Sequence, residues 1–184
     1  NGISAIATAQ GSSELNISVV IKKESLKKAL NVIHEGFFLS HIKELHLYLI
    51  GIGTVGSKLL DQIRIQKEEL LQEHKLNINV IGISNSRKML MAPDGINLEK
   101  YAELLEKQGE RADVDLFLQK MRYLNYRNSV FIDCTASEKM AGTYEDVMNS
   151  FISVVTANKI ACSSSYQLYK TLRTTAQDRK VKFM

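Results

Sequence analysis

The chain has 184 residues, 45% of them hydrophobic and 24% charged, with one proline and a net charge of +4. That is ample apolar material for a core and too little bias for a disordered tail or a proline-rich linker. No window approaches 18 uninterrupted apolar residues, no basic stretch leads into an apolar run at the N-terminus, and the charge excess sits in one segment after Tyr166, so neither a membrane span, a secretion signal nor a nucleic-acid partner is expected. In chain order, Ile3 to Ala9 is small and β-compatible, Gly11-Ser12-Ser13 signals a turn, and Asn16 to Lys22 alternates like a second strand. Leu26, Ala29, Leu30, Ile33 and Phe37 then follow helical spacing, with Ser25 available as N-cap and Gly36 near the end. Two strands and a helix are too small to bury a core alone, so residues 1–42 read as part of a small α+β domain.

From residue 43 the pattern changes. Leu47-Tyr48-Leu49-Ile50 is a continuous apolar strand, and Val55, Leu59, Leu60, Ile63 and Leu70 mark one face of a helix reaching roughly Gln72. Strands follow at Ile78–Ile83, Val130–Ile132 and Ile152–Val155, with a fifth opening at Val181–Phe183. Helical patterns over Leu98–Leu105, Val114–Leu124, Glu145–Ser150 and Ser163–Gln177 separate them. Strands apolar throughout and divided by helices predict an α/β domain over 43–184, a doubly wound parallel sheet covered on both faces. The five cations after Tyr166 (Lys170, Arg173, Arg179, Lys180, Lys182) read as a solvated helix face. Cys134 and Cys162 predict reduced thiols in a cytoplasmic protein, and His34, His41, His46 and His74 lack metal-ligand spacing, so no metal is expected.

The chemistry concentrates at strand ends. Gly51-Ile52-Gly53-Thr54-Val55-Gly56 fits G-x-G-x-x-G between a strand and a helix, the context that gives this otherwise weak pattern its meaning. Gly51 suits a tight turn, Gly53 a close backbone approach to a pyrophosphate, and Gly56 helix–strand packing. The second strand ends in Ser84-Asn85-Ser86-Arg87-Lys88, with no carboxylate for a ribose 2′-hydroxyl and with Arg87 able to pair with a 2′-phosphate, which favours NADP over NAD. Asp133-Cys134-Thr135-Ala136-Ser137 and Thr156-Ala157-Asn158-Lys159 lie at the carboxyl ends of later strands, the edge where ligands sit in open α/β sheets. Small hydroxyl residues there suit a ribose or nicotinamide. The residues alone leave open whether the Lys159 ammonium points into the crevice or to solvent.

These motifs together resemble homoserine dehydrogenase: Gly-Ile-Gly-Thr-Val-Gly, Ser-Asn-Ser, Asp-Cys-Thr-Ala-Ser, and Val-Val-Thr-Ala-Asn-Lys followed by Ser-Ser-Ser-Tyr. Upstream, the run from Ala7 to Ser18 resembles the regulatory ACT region of aspartate kinases, and the order matches the bifunctional aspartate kinase–homoserine dehydrogenase family. The resemblance implies a Rossmann-like fold, NAD(P)-dependent interconversion of aspartate semialdehyde and homoserine, control by threonine and a homo-oligomer. It implies that Gly51 to Gly56 hold the pyrophosphate, that Thr135 and Ser137 lie near the nicotinamide, that Lys159 contacts cofactor and substrate, and that Gln10 meets an amino-acid effector. Ser84, Asn85, Arg87, Cys134, Thr156 and Asn158 complete the expected cofactor set. The family's Lys-Phe-Gly-Gly kinase motif and Gly-Ala-Gly-Leu-Pro segment are not in the chain, which starts at Asn1 and stops at Met184; a piece of a longer enzyme, inactive alone, is therefore expected. A competing class is a non-catalytic nucleotide- or amino-acid-sensing module, which has no need of both later strand-end motifs on one crevice edge. A dehydrogenase for another semialdehyde or 2-hydroxy acid fits less well beside the ACT-like segment.

Overall fold

In the computed structural model, which describes residues 3–11, 16–26, 28–30, 32–33 and 42–184, the chain divides into two units, residues 1–41 and 42–184. In the first unit, β1 (Ala5–Gln10) pairs antiparallel with β2 (Ile17–Ile21), followed by a 3-10 turn at Lys23–Ser25 and helical backbone at the described positions of 26–33. Among the described residues of the expected helix face, Ala29 is buried, and Leu26, Leu30 and Ile33 are exposed. The expected turn at Ser12-Ser13 and helix end at Gly36 and Phe37 lie outside the described residues, as do His34 and His41.

The second unit is a six-stranded sheet in the order β6-β5-β4-β3-β7-β8. The strands are β3 (Lys43–Ile50), β4 (Leu76–Ser84), β5 (Lys88–Met91), β6 (Glu110–Arg111), β7 (Ser129–Asp133) and β8 (Ser153–Thr156). The helices are α1 (Thr54–His74), α2 (Tyr101–Gln108), α3 (Val114–Leu124), α4 (Glu138–Ala141), α5 (Tyr144–Asn149), α6 (Ile160–Ser163) and α7 (Tyr166–Asp178). Strands β4, β3, β7 and β8 run parallel, and Phe183 adds an isolated parallel bridge beside Val154, where the fifth strand is expected to open.

Alternation along β3 feeds two cores. Leu47 and Leu49 join Leu60 and Ile63 of α1 and Leu105 of α2 on one face. Tyr48 and Ile50 join Phe117 and Met121 of α3, Tyr144 of α5 and Leu172 of α7 on the other. A strand with side chains going both ways into apolar layers is the doubly wound arrangement. Val55, expected on the buried face of α1, is exposed in its first turn.

The sheet is mixed, however. Strand β5 pairs antiparallel with β4, and β6 antiparallel with β5. The cause is local: the Asn85 side chain accepts hydrogen bonds from the backbone N–H of Arg87 (2.8 Å) and Lys88 (2.7 Å), folding 85–88 into a tight reversal. Two helix starts also shift. Asn97 caps a turn that delays α2 to Tyr101, and the Ser165 hydroxyl accepts from Leu168 N–H (3.1 Å) to begin α7, leaving α6 as a separate turn. Among the described residues no helix is long and apolar enough to cross a membrane.

Candidate functional site

The chain leaves β3 for β4 on one side and returns to β7 on the other, so a crevice opens where the connections part, at the carboxyl end of β3. The glycine turn occupies it. Its backbone is tied to both neighbours: Gly51 N–H donates to the Ser84 carbonyl (2.8 Å), and Cys134 N–H to the Ile50 carbonyl (2.9 Å). Gly51 has φ +95°, and a Cβ there would meet the Cys134 carbonyl carbon at 2.8 Å. A Cβ at Gly56 would overlap the Gly51 carbonyl oxygen. Gly53 differs: a Cβ would meet no protein atom within 4 Å, so its hydrogen faces open crevice. Helix α1 starts directly after it with no side-chain cap and no acidic residue in the first turn. The first N–H groups and the positive end of the helix dipole are thus left for an anion.

The crevice measures about 580 Å³. Gly51, Ile52 and Gly53 form its floor, Ser84 and Asn85 one wall, and Cys134, Thr135 and Ser137 the other. Eight expected cofactor residues therefore meet in one cavity. Sequence reasoning did not single out Ala112, Val114, Lys139 and Met140, which also line it. They come from α3, α4 and the segment after β6, and no strand-end pattern marks them. Burial, then the neighbouring Asp133 charge, push the Cys134 thiol above its ordinary pKa.

At the β4 side the two cations of Arg87-Lys88 have different fates. The Lys88 ammonium is taken by the Glu106 carboxylate at 2.8 Å, and this hydrogen bond and charge hold the Glu106 carboxyl below its ordinary pKa. Arg87 is exposed just outside the cavity lining, and among the described residues its guanidinium makes no hydrogen bond or ion pair. Its backbone is fixed by the Asn85 turn and by Ala112 N–H donating to its carbonyl (2.8 Å). A rigid backbone carrying an uncommitted guanidinium suits a phosphate.

At the β7 side a polar network is buried. Asp133 is 0% exposed. One carboxylate oxygen accepts from Thr135 N–H (2.7 Å), the other from the Tyr144 hydroxyl and from Asn158 Nδ2 (3.2 Å). Asn158 also donates to the Ser137 carbonyl (2.9 Å), and Thr156 Oγ1 lies 2.9 Å from the Tyr144 hydroxyl. Burial and the bond to Asp133 push the Tyr144 hydroxyl far above the ordinary phenol range. Thr156 and Asn158 thus turn into this network rather than into the cavity. Lys159 is exposed beside it, at the start of α6. Thr54 and Val55 are exposed in the first turn of α1, and Gln10 is exposed at the end of β1 in the other unit. Asp133 belongs to a motif read for its hydroxyls; Tyr144 precedes the helix expected over Glu145–Ser150, and no pattern marks it.

The geometry agrees with the relatives. Residues 51–184 match the family described as homoserine dehydrogenase, NAD binding domain, and residues 1–37 match the ACT domain family. The chain is 44% identical over 168 residues to bifunctional aspartokinase/homoserine dehydrogenase 1, chloroplastic, of Arabidopsis thaliana, covering 91% of this chain and 18% of that protein. It is 36% identical over 182 residues to the bifunctional aspartokinase/homoserine dehydrogenase of Haemophilus influenzae, covering 99% and 22%. The chain thus spans about a fifth of the length of these curated relatives. Among solved structures, the homoserine dehydrogenase from Thermoplasma acidophilum shares the fold at TM-score 0.59 and 21% identity, over 77% of this chain and 42% of that one. A hyperthermophilic archaeal homoserine dehydrogenase mutant in complex with NADPH does so at 0.60 and 20%, over 77% and 43%. With a dinucleotide-type turn between β3 and α1 and a family match over 51–184, the chain belongs to the homoserine dehydrogenase NAD-binding domain family.

Proposed function

We propose that this chain is the dinucleotide-binding part of a homoserine dehydrogenase within a bifunctional aspartate kinase–homoserine dehydrogenase, interconverting aspartate semialdehyde and homoserine with NADP(H). The observation that carries the reading is Gly53: a glycine with no protein atom near its absent Cβ, opening on the crevice beside an uncapped helix N-terminus. The residues fit the group. Gly51 to Gly56 offer backbone N–H groups to a pyrophosphate, and Ser84, Asn85 and Arg87 form the adenosine end, with Arg87 taking the 2′-phosphate. Cys134, Thr135 and Ser137 border the nicotinamide end, backed by Thr156 and Asn158. A bound nicotinamide supplies the hydride chemistry. Lys159, exposed beside the Asp133 network, is the cation that would meet a substrate carboxylate or hydroxyl and hold a proton there. Residues 1–42 form the ACT-like part and 43–184 the Rossmann domain; Gln10 is the proposed contact for an amino-acid effector such as threonine. Two free thiols suit a reducing compartment such as the cytoplasm.

The test is calorimetric titration of the chain with NADPH and with NADH. NADPH should bind more tightly, and Arg87→Ala should weaken NADPH by about 1–3 kcal/mol while barely changing NADH. Equal affinities, or an NADH preference, would remove the role given to Arg87; no binding of either would remove the proposal.

A further inference from the structure

Tyr144 sits on α5, away from the crevice lining, and is 0% exposed. Its ring packs near Phe131 and Phe183, with centroids 6.4 Å and 6.1 Å apart. A phenylalanine would satisfy that packing. The hydroxyl is what makes this position polar, and a buried hydroxyl is tolerated only where it is bonded. Its partners are chosen by position: the Asp133 carboxylate at the end of β7 and Thr156 Oγ1 at the end of β8.

Through those partners the hydroxyl reaches the crevice wall. Asp133 grips the 134–137 loop at its entry, accepting from Thr135 N–H (2.7 Å). Asn158, held by the same carboxylate, grips its exit by donating to the Ser137 carbonyl (2.9 Å). Between these points Thr135 Oγ1 accepts from Ser137 N–H (3.2 Å), fixing the side chain of a cavity-lining residue. Thr156 Oγ1 also accepts from Asn158 N–H (2.9 Å), so the turn leading to Lys159 hangs on the same cluster. Buried bonds of this kind reinforce one another, and losing one donor weakens the hold of the others on the carboxylate.

We infer that Tyr144 is a positioning residue whose hydroxyl, acting through Asp133, sets the loop that presents Thr135 and Ser137 to the nicotinamide end of the crevice. The inference rests on the dinucleotide reading above. It predicts an effect confined to one end of the ligand. The Ser84–Arg87 end lies two strands away, beyond β3, and shares no bond with the network.

The test compares two probes on the full chain: NADPH, which spans the whole crevice, and adenosine 2′,5′-bisphosphate, which carries only the adenosine end. Tyr144→Phe should raise the NADPH dissociation constant about tenfold and leave that of the bisphosphate within about twofold. Thr156→Val, which removes the second hydroxyl of the network, should show the same one-ended loss and serves if the Tyr144→Phe chain does not fold. Equal weakening of both probes, or no change in either beside a lowered melting temperature, overturns the inference and leaves the dinucleotide reading standing. A wild-type chain that binds neither probe overturns both.

Discussion

Three glycines share the turn after β3 and answer to different demands. Gly51 and Gly56 are required by the protein, one by its φ of +95° and the other by the carbonyl against which it packs; Gly53 is required by nothing the protein itself contains. Gly53→Val should therefore leave the circular dichroism spectrum and melting temperature near wild type while abolishing NADPH binding. Gly56→Val should cost about 2–4 kcal/mol of stability, because the displaced atom is backbone and cannot rotate away. The opposite pattern in a melting and titration series would reverse the roles. A second residue-scale contrast concerns the thiols. Cys162 is exposed, whereas Cys134 is half-buried on the crevice wall with its pKa raised by burial and by Asp133. A raised pKa means less thiolate at a given pH, and thiolate is the reactive form. At pH 8 iodoacetamide should modify Cys162 first by mass spectrometry, and NADPH should slow Cys134 further. Faster labelling of Cys134 would contradict the picture of that wall.

At the scale of elements, the caps decide where helices begin. Asp113 accepts from Leu116 N–H (2.9 Å) at the start of α3, the helix whose Phe117 and Met121 fill one core. Asp113→Ala should lower stability by about 1 kcal/mol in denaturant titration, and an unchanged midpoint would show that the cap contributes nothing. Val114–Leu124 was legible residue for residue because Asp113 and a strong apolar stripe coincide there. The parallel strands were legible because burial on both faces leaves near-continuous apolar runs. Strand β5 was not, since Lys88–Met91 is four residues long and its direction depends on one Asn85 side chain bonding two backbone N–H groups. The cavity floor was legible from glycine spacing, which encodes backbone needs. The Asp133–Tyr144–Asn158 network was not, because its members come from three separate segments and meet only when the sheet closes.

For the molecule as a whole, the described residues of the two units differ in burial. In the first, the ribbon β1–β2 leaves Ile6 63% and Ile17 68% exposed, whereas among the described residues both cores and the lining of the crevice fall within 42–184. A chain of residues 42–184 alone should bind NADPH within about twofold of the full chain, since no lining residue is lost; a larger loss by calorimetry would give residues 1–41 a share in the site. The sheet itself is unequal at its two rims. One ends in β6, two residues long and charged, with Glu110 paired to Lys120; such edges resist added strands. At the other, β8 already bonds a parallel neighbour, with Val154 N–H donating to the Lys182 carbonyl (2.8 Å) and Thr156 N–H to the Met184 carbonyl (2.8 Å). The sheet thus extends on one side only, the side of β8, where residues 182–184 already form the next step. Growth of the sheet past 182–184 would leave the Ser84–Arg87 end as it is, because that end lies toward the closed β6 rim.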